Sequence, residues 1–298
     1  MRKQRVWVRW LGVAVLAGTL GGFGGIRPAA WGLDGHLMVG RAAAEAVPRE
    51  MPSFFRNSVD QLSWLNAEPD RWKDRAERDL DENLYRSFSP GHYINLESVP
   101  DGVLAAEHRL AYFESLYQAG VDHQPGFLPF TILELTQRLR VGFRRWRSAD
   151  GPERAWIEQR IINDAGILGH YVADGSNPLH TTIHYNGWVG DTSLGYASDD
   201  AMHARFESRY VRGQITIEDV LPSVETEART VPDLRLAVWQ YIEDSNALVE
   251  RVYQIDREAR FDERTTAPAN KAFIVDRLAA GATMLRDLWW TAWVTSAP

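Results

Sequence analysis

The spacing of apolar residues is the feature that most limits the folds open to this chain. In six segments, apolar side chains recur every three or four residues, which is the period of an amphipathic α-helix. These segments are residues 36–47, 103–117, 130–146, 153–174, 234–255 and 272–294. No stretch alternates cleanly enough to predict a strand, although residues 92–96 fit either a strand or a helix. The pattern therefore predicts an all-α protein.

Composition favours one globular domain. The chain has 298 residues, of which 45% are hydrophobic and 24% are charged, and this excludes wholesale disorder and fibrous repeats. No internal repeat or linker divides residues 31–298, so we expect a single multi-helix domain there. The absence of cysteine excludes a disulfide framework, thiolate metal ligands and a cysteine nucleophile.

The first thirty residues have the pattern of a secretory signal peptide. Arg2, Lys3, Arg5 and Arg9 precede an uncharged stretch over residues 11–26, which is too short to span a bilayer comfortably. We therefore predict a signal peptide at residues 1–30 and a secreted or periplasmic protein; an uncleaved anchor is the alternative. Without this segment the chain keeps 28 basic and 40 acidic residues, a net charge of −12. Such a surface gives no long-range attraction to a nucleic-acid polyanion.

Histidines and acids recur at helical spacing in two places. His170 and Asp174 lie four residues apart, hence on one helix face, and a Gly-Ser-Asn-Pro turn can bring His180 back towards them. His203 and Glu207 repeat the spacing. Imidazole with carboxylate is the ligand set that suits zinc without sulfur, whereas a single pair of this kind is usually a surface hydrogen bond. Spacing alone leaves both interpretations open.

The expected new N-terminus adds a further candidate ligand. Cleavage after residue 30 would leave Trp31 with a free α-amine, which titrates near pH 8 and binds metals once deprotonated. With the carbonyl oxygen of the same residue, this amine can close a five-membered chelate ring, and His36 follows at the start of the first helix. The alternative is that Trp31 serves only as an aromatic anchor for the N-terminus and binds no metal.

Together these motifs resemble the zinc-dependent phospholipase C and single-strand-specific nuclease superfamily. The motifs are Trp-Gly-x-x-Gly-His at 31–36, His-Tyr at 92–93, His-x-x-x-Asp-x-x-x-x-x-His at 170–180 and His-x-x-x-Glu at 203–207. The resemblance extends from Trp31 to about Tyr210 and implies an all-α fold. Glutamate at position 207 looks more like the phospholipase branch, because the nuclease branch typically has aspartate there.

The resemblance implies three zinc ions. Their ligand sets would be Trp31 with His36; His92 with His170 and an upstream aspartate; and His180 with His203 and Glu207. Asp174 would bridge the first two ions. We prefer Asp70, in Glu-Pro-Asp-Arg, as the upstream aspartate, and Asp74 remains an alternative.

The expected activity is exported, zinc-dependent phosphodiester hydrolysis, most like that of phospholipase C. Zinc lowers the pKa of bound water to about 7, and Asp70 would orient or deprotonate the attacking water. The substrate would be a phospholipid or another phosphodiester. The alternatives are a single-strand nuclease or 3′-nucleotidase, for which single-stranded nucleic acid is the substrate, and a non-catalytic zinc-binding envelope protein. No stable protein partner is implied.

Overall fold

The chain folds almost entirely into helices. A computed structural model describes residues 31–298, and the signal-peptide hypothesis for residues 1–30 falls outside them. Within the described range, the only pairing of extended backbone is an isolated bridge between Ile94 and Gly126. The predicted all-α class is therefore confirmed.

Long helices alternate with short ones along the chain. Residues 31–298 contain the α-helical segments α1 (Gly32–Glu45), α2 (Ser53–Arg56), α3 (Val59–Asn66), α4 (Glu68–Arg71), α5 (Arg75–Leu80), α6 (Glu82–Arg86), α7 (Arg109–Gln118), α8 (Leu128–Ser148), α9 (Gly151–Ser176), α10 (Met202–Ala204), α11 (Val211–Gln214), α12 (Ile217–Val220), α13 (Leu234–Asn246), α14 (Val249–Glu258) and α15 (Pro268–Val294). A π-helix (Arg205–Tyr210) joins α10 to α11. Short 3₁₀ turns cover Ser89–His92, Leu96–Ser98, Val103–Ala105, Pro178–His180 and Leu221–Ser223.

Helix α9 is the central helix of the fold. It packs against α1, α3, α8 and α15. All but one of residues 164–176 are buried, so the second half of α9 is enclosed on every side, as expected for a helix inside a large core. Gly166 lets α3 approach closely, because a Cβ atom there would lie 2.3 Å from Cβ of Leu65. This close approach sets the polar end of α3 beside the C-terminal half of α9.

Two of the predicted helices are interrupted. The segment 103–117 is broken because His108 caps α7, its Nδ1 accepting the N–H of Ala111 at 3.0 Å. The segment 234–255 is divided into α13 and α14 after Asn246, whose side chain donates to the carbonyl of Thr181 at 2.9 Å. His108 accepts an N–H in the first turn of α7, and Asn246 donates to a carbonyl outside its helix; the apolar period reveals neither contact.

None of the helices in the described part of the chain combines the length and apolar content needed to cross a membrane.

Candidate metal centre

The predicted ligand side chains lie on seven different segments of the fold. His36 is on α1, Asp70 on α4, His92 at the end of a 3₁₀ turn, His170 and Asp174 on α9, His180 on the 3₁₀ turn after α9, His203 on α10 and Glu207 in the π-helix. Among the described residues, three clusters of side chains could hold a metal ion. They are His36 with His170 and Asp174; Asp70 with His92 and His170; and His180 with His203 and Glu207. Within each cluster the candidate ligand atoms lie within 4.8 Å of one another. The fold thus brings all eight predicted side chains together into groups that can hold metal ions.

The carboxylate of Asp174 lies at the centre of these clusters. Its Oδ1 is 3.4 Å from Nε2 of His36 and 3.5 Å from Nδ1 of His180. Its Oδ2 is 3.1 Å from Nδ1 of His92 and 3.4 Å from Nε2 of His170. Asp174 is fully buried. Its two carboxylate oxygens therefore face the four surrounding imidazoles inside the protein.

The two aspartates considered for the upstream position occupy different environments. Asp70 lies 3.9 Å from Nε2 of His170 and makes an ion pair with Nζ of Lys73 at 2.7 Å. Asp74 is exposed and belongs to none of the three clusters. Its Oδ1 instead accepts the N–H of Ala76 at 2.7 Å and caps α5.

The third cluster is built on the turn after α9 and on the π-helix. Nε2 of His203 lies 2.7 Å from Oε2 of Glu207, and Nε2 of His180 lies 3.5 Å from the same oxygen. The two imidazole Nε2 atoms are 3.2 Å apart. Nδ1 of His180 is hydrogen-bonded to the carbonyl of His92 at 2.6 Å, which directs Nε2 towards the other two side chains.

Trp31 is anchored beside this third cluster. Its main-chain N–H donates to Oε2 of Glu207 at 2.9 Å, and its indole N–H donates to the carbonyl of Ala173 at 2.6 Å. The ring is fully buried and packs against Phe206, with centroids 5.6 Å apart. Its carbonyl accepts the N–H of Gly35 at 3.1 Å as α1 begins. The first described residue is therefore part of the core next to the metal-binding groups.

The electrostatics of the centre suit a divalent cation. Burial lowers the pKa of His92 and His170, which keeps these imidazoles neutral. Burial would also lower the pKa of His180, but the carboxylates of Asp174 and Glu207 raise it to about 9. Although burial opposes ionisation of Asp174, its histidine neighbours hold the pKa of that carboxyl well below its usual range. The neutral imidazoles of His92 and His170 and the ionised Asp174 are in the protonation states that metal binding requires, whereas His180 would have to release its proton.

Several buried polar atoms of the centre have no hydrogen-bond partner among the described residues. These atoms are Nε2 of His36, Nε2 of His92, Oδ2 of Asp70, Oδ1 of Asp174 and Oε1 of Glu207, whereas Oδ1 of Asp70 has Lys73 as its partner. An unsatisfied buried polar group costs about 1–3 kcal/mol, and such groups are rare in folded proteins. Bound cations would satisfy them, so the residues fit a metal centre.

Two residues that contact the ligands were not predicted from the sequence. Lys73 lies one helical turn after Asp70, and this spacing was the available signal for it. Burial lowers the pKa of Lys73, but the carboxylate of Asp70 raises it above its usual value, so the ammonium stays charged. Asn66 contacts His36 and His170, and nothing in its sequence context distinguishes it from other asparagines.

Residues that come shortly after Asp70 and Lys73 in the chain line an acidic and aromatic groove. It has a volume of about 370 Å³ and is lined by Trp72, Glu77, Asp81, Leu84, Tyr85 and Phe88. The rings of Trp72 and Phe88 are in contact, with centroids 6.0 Å apart. Aromatic faces together with carboxylates attract cations and repel polyanions.

The other histidines lie outside the clusters. His123 is exposed and pairs with Asp122, and His108 caps α7. His184 stacks on Trp188, with ring centroids 4.1 Å apart and an interplanar angle of 6°.

Neither known protein-family models nor curated proteins give a match to this chain.

Proposed function

We propose that this protein is a zinc-dependent phosphodiester hydrolase, most like a phospholipase C. The convergence of seven further metal-ligating side chains around the buried carboxylate of Asp174 is the observation that carries the proposal. Imidazole and carboxylate without thiolate form a donor set that suits zinc. Together with the main-chain nitrogen of Trp31, which lies against Glu207, the three clusters offer ligands for three ions.

Zinc in these clusters would supply Lewis acidity and lower the pKa of a water molecule to about 7. The side chains have separate tasks. Burial raises the pKa of Asp70, but His170 and Lys73 hold it below its usual value, and the ionised carboxylate would accept a hydrogen bond from the attacking water. The charged ammonium of Lys73, 2.7 Å from Asp70, adds positive charge for a phosphate oxygen.

The groove that Trp72, Glu77, Asp81, Leu84, Tyr85 and Phe88 line, shortly after Asp70 in the chain, supports a phospholipid over a nucleic acid as the substrate. Glu77 and Asp81 contribute negative charge next to Trp72, Tyr85 and Phe88. A phosphodiester with a cationic headgroup would gain cation–π and ionic interactions there, whereas a polyanionic strand would be repelled. The net charge of the chain, −7, acts in the same direction.

The test combines zinc analysis with parallel assays of one zinc-loaded sample. We expect up to three bound zinc ions and hydrolysis of phosphatidylcholine and of a nitrophenyl phosphodiester. Hydrolysis of single-stranded DNA that is faster than hydrolysis of phosphatidylcholine would indicate a nuclease instead. Bound zinc without any hydrolysis would indicate a non-catalytic zinc-binding protein, and a sample that binds no zinc would contradict the proposal.

Replacement of a central ligand gives a sharper test. His170→Ala and Asp174→Ala should each abolish turnover and lower the zinc content, because each removes a ligand that belongs to the buried centre. His123→Ala is the matched control, since this histidine is exposed and outside the clusters. Full activity with normal zinc content in either central variant would refute the assignment.

A further inference from the structure

We propose that Asn66 is a positioning residue that orients His36 and His170 for metal binding. This inference rests on the metal centre of the proposed function and adds a residue outside the ligand set. Asn66 is the last residue of α3 and is fully buried.

Asn66 contacts the Nδ1 atom of His36 and the Nδ1 atom of His170. Its side-chain Oδ1 lies 3.2 Å from Nδ1 of His36, and its main-chain carbonyl lies 2.8 Å from Nδ1 of His170. A carbonyl oxygen only accepts hydrogen bonds, so each Nδ1 carries the hydrogen and each Nε2 keeps its lone pair. These Nε2 atoms lie 3.4 Å from Oδ1 and Oδ2 of Asp174, respectively.

The two imidazole rings are held parallel as a result. Their centroids are 3.9 Å apart and the angle between their planes is 18°. One residue thus fixes both the tautomer and the direction of two ligands from different helices, α1 and α9. Hydrogen-bond partners of metal-binding histidines commonly have this role.

The surrounding backbone leaves room for this side chain. A Cβ atom at Gly40 would lie 2.9 Å from Cβ of Asn66, and a Cβ atom at Gly169 would lie 2.2 Å from its Nδ2. Both glycines lie inside helices and have ordinary helical backbone conformations. Glycine is therefore required at these positions because it leaves space for the Asn66 side chain. Nδ2 of Asn66 is buried without a partner among the described residues. The cost of that unpaired donor would be avoided by an apolar side chain, which indicates that Oδ1 is needed.

Asn66→Leu and Asn66→Asp separate this role from simple packing. Leucine has a similar volume but lacks the side-chain acceptor for His36 and keeps the main-chain acceptor for His170, so we expect the ion bound by His36 to dissociate about 10–100-fold more readily in competition with a chromophoric chelator. The cluster of His180, His203 and Glu207, which Asn66 does not contact, should keep its ion. Aspartate keeps the acceptor and should bind zinc at least as tightly as the wild type.

Asn270→Leu is the matched control. Asn270 is also fully buried, and its side chain donates to the carbonyl of Ala259, away from the three clusters. It should lose stability without losing zinc affinity. If Asn66→Leu does not fold, Gly169→Ala provides a second route, because it displaces the Asn66 amide without removing a polar group. This variant should also weaken zinc binding.

The outcomes distinguish this inference from the proposed function. The role of Asn66 would be overturned if zinc affinity is unchanged in a folded Asn66→Leu protein or in Gly169→Ala. It would also be overturned if Asn66→Asp or Asn270→Leu loses as much zinc affinity as Asn66→Leu. Neither result would contradict the proposed hydrolase. Weakened zinc binding in Asn66→Leu, in a protein whose wild type hydrolyses no phosphodiester, would support Asn66 and overturn the hydrolase. A wild type that binds no zinc would overturn both.

Discussion

Asp174 is a single carboxylate buried among four imidazoles, and its charge must be compensated inside the protein. The proton that His180 holds, with a pKa of about 9, provides part of this compensation in the metal-free chain. A metal ion needs the neutral imidazole, so binding at His180 should release that proton. At the scale of the residue, a cation that binds at His180 would therefore take the place of a proton.

The two upstream aspartates give a prediction at this scale. Asp70→Asn should lower turnover on the order of 100-fold, because it removes an anionic ligand beside His170 and the acceptor for water. Asp74→Asn should leave turnover within about twofold, because asparagine still caps α5. Initial rates on a nitrophenyl phosphodiester measure both. Inactivation by the Asp74 change alone would reverse the assignment.

The side chains of the three candidate clusters were easier to predict from the sequence than the residues that contact them. The pairs His170 with Asp174 and His203 with Glu207 share a spacing that places each pair on one helix face. Asn66 has no such signal, because it contacts His36 and His170 through a close approach of α3 to α9 that depends on Gly169. Long-range contacts of this kind follow from packing and leave no periodic pattern in the sequence.

At the scale of the element, long helices followed from apolar periodicity and short ones did not. The pattern predicted α8, α9 and α15 with ends within a few residues of those in the structure. It gave no indication of α2–α6, which are four to eight residues long and too short for a period to be recognised. The π-helix that carries Glu207 was also missed, since one widened turn does not alter the distribution of apolar residues.

Helices α5 and α6 provide the prediction for this scale. The double change Glu77→Gln and Asp81→Asn removes both negative charges from the groove, while asparagine still caps α6. KM for a soluble short-chain phosphatidylcholine should rise by about 3–10-fold, and a nitrophenyl phosphodiester without a cationic group should be unaffected. Glu82→Gln is the control, because Glu82 pairs with Arg86 and does not line the groove. An equal effect on both substrates would argue against a headgroup site.

At the scale of the whole molecule, the metal centre connects the N-terminal helix, the central helix α9 and the π-helix. Bound cations would therefore stabilise the tertiary fold as well as the reaction site. Each ion at a thousandfold excess over its dissociation constant adds about 4 kcal/mol to the free energy of unfolding.

Chelation should therefore lower the melting temperature by on the order of 10 °C for each tightly bound ion removed. Thermal unfolding followed by circular dichroism, before and after treatment with a chelator, measures this shift. Restoring zinc should recover the original transition, whereas magnesium should not, since it prefers oxygen ligands. A transition that does not respond to the chelator would contradict a structural contribution from metal.

The contact between the backbone nitrogen of Trp31 and Glu207 joins residues 176 positions apart. Closing so long a loop is entropically costly and slow compared with forming a single helix. A nascent chain that stops short of Glu207 has no complete third cluster and no acceptor for the backbone N–H of Trp31. Cation loading of this third cluster would then come later in the maturation of the polypeptide than loading of the other two clusters, whose residues all lie at or before position 174.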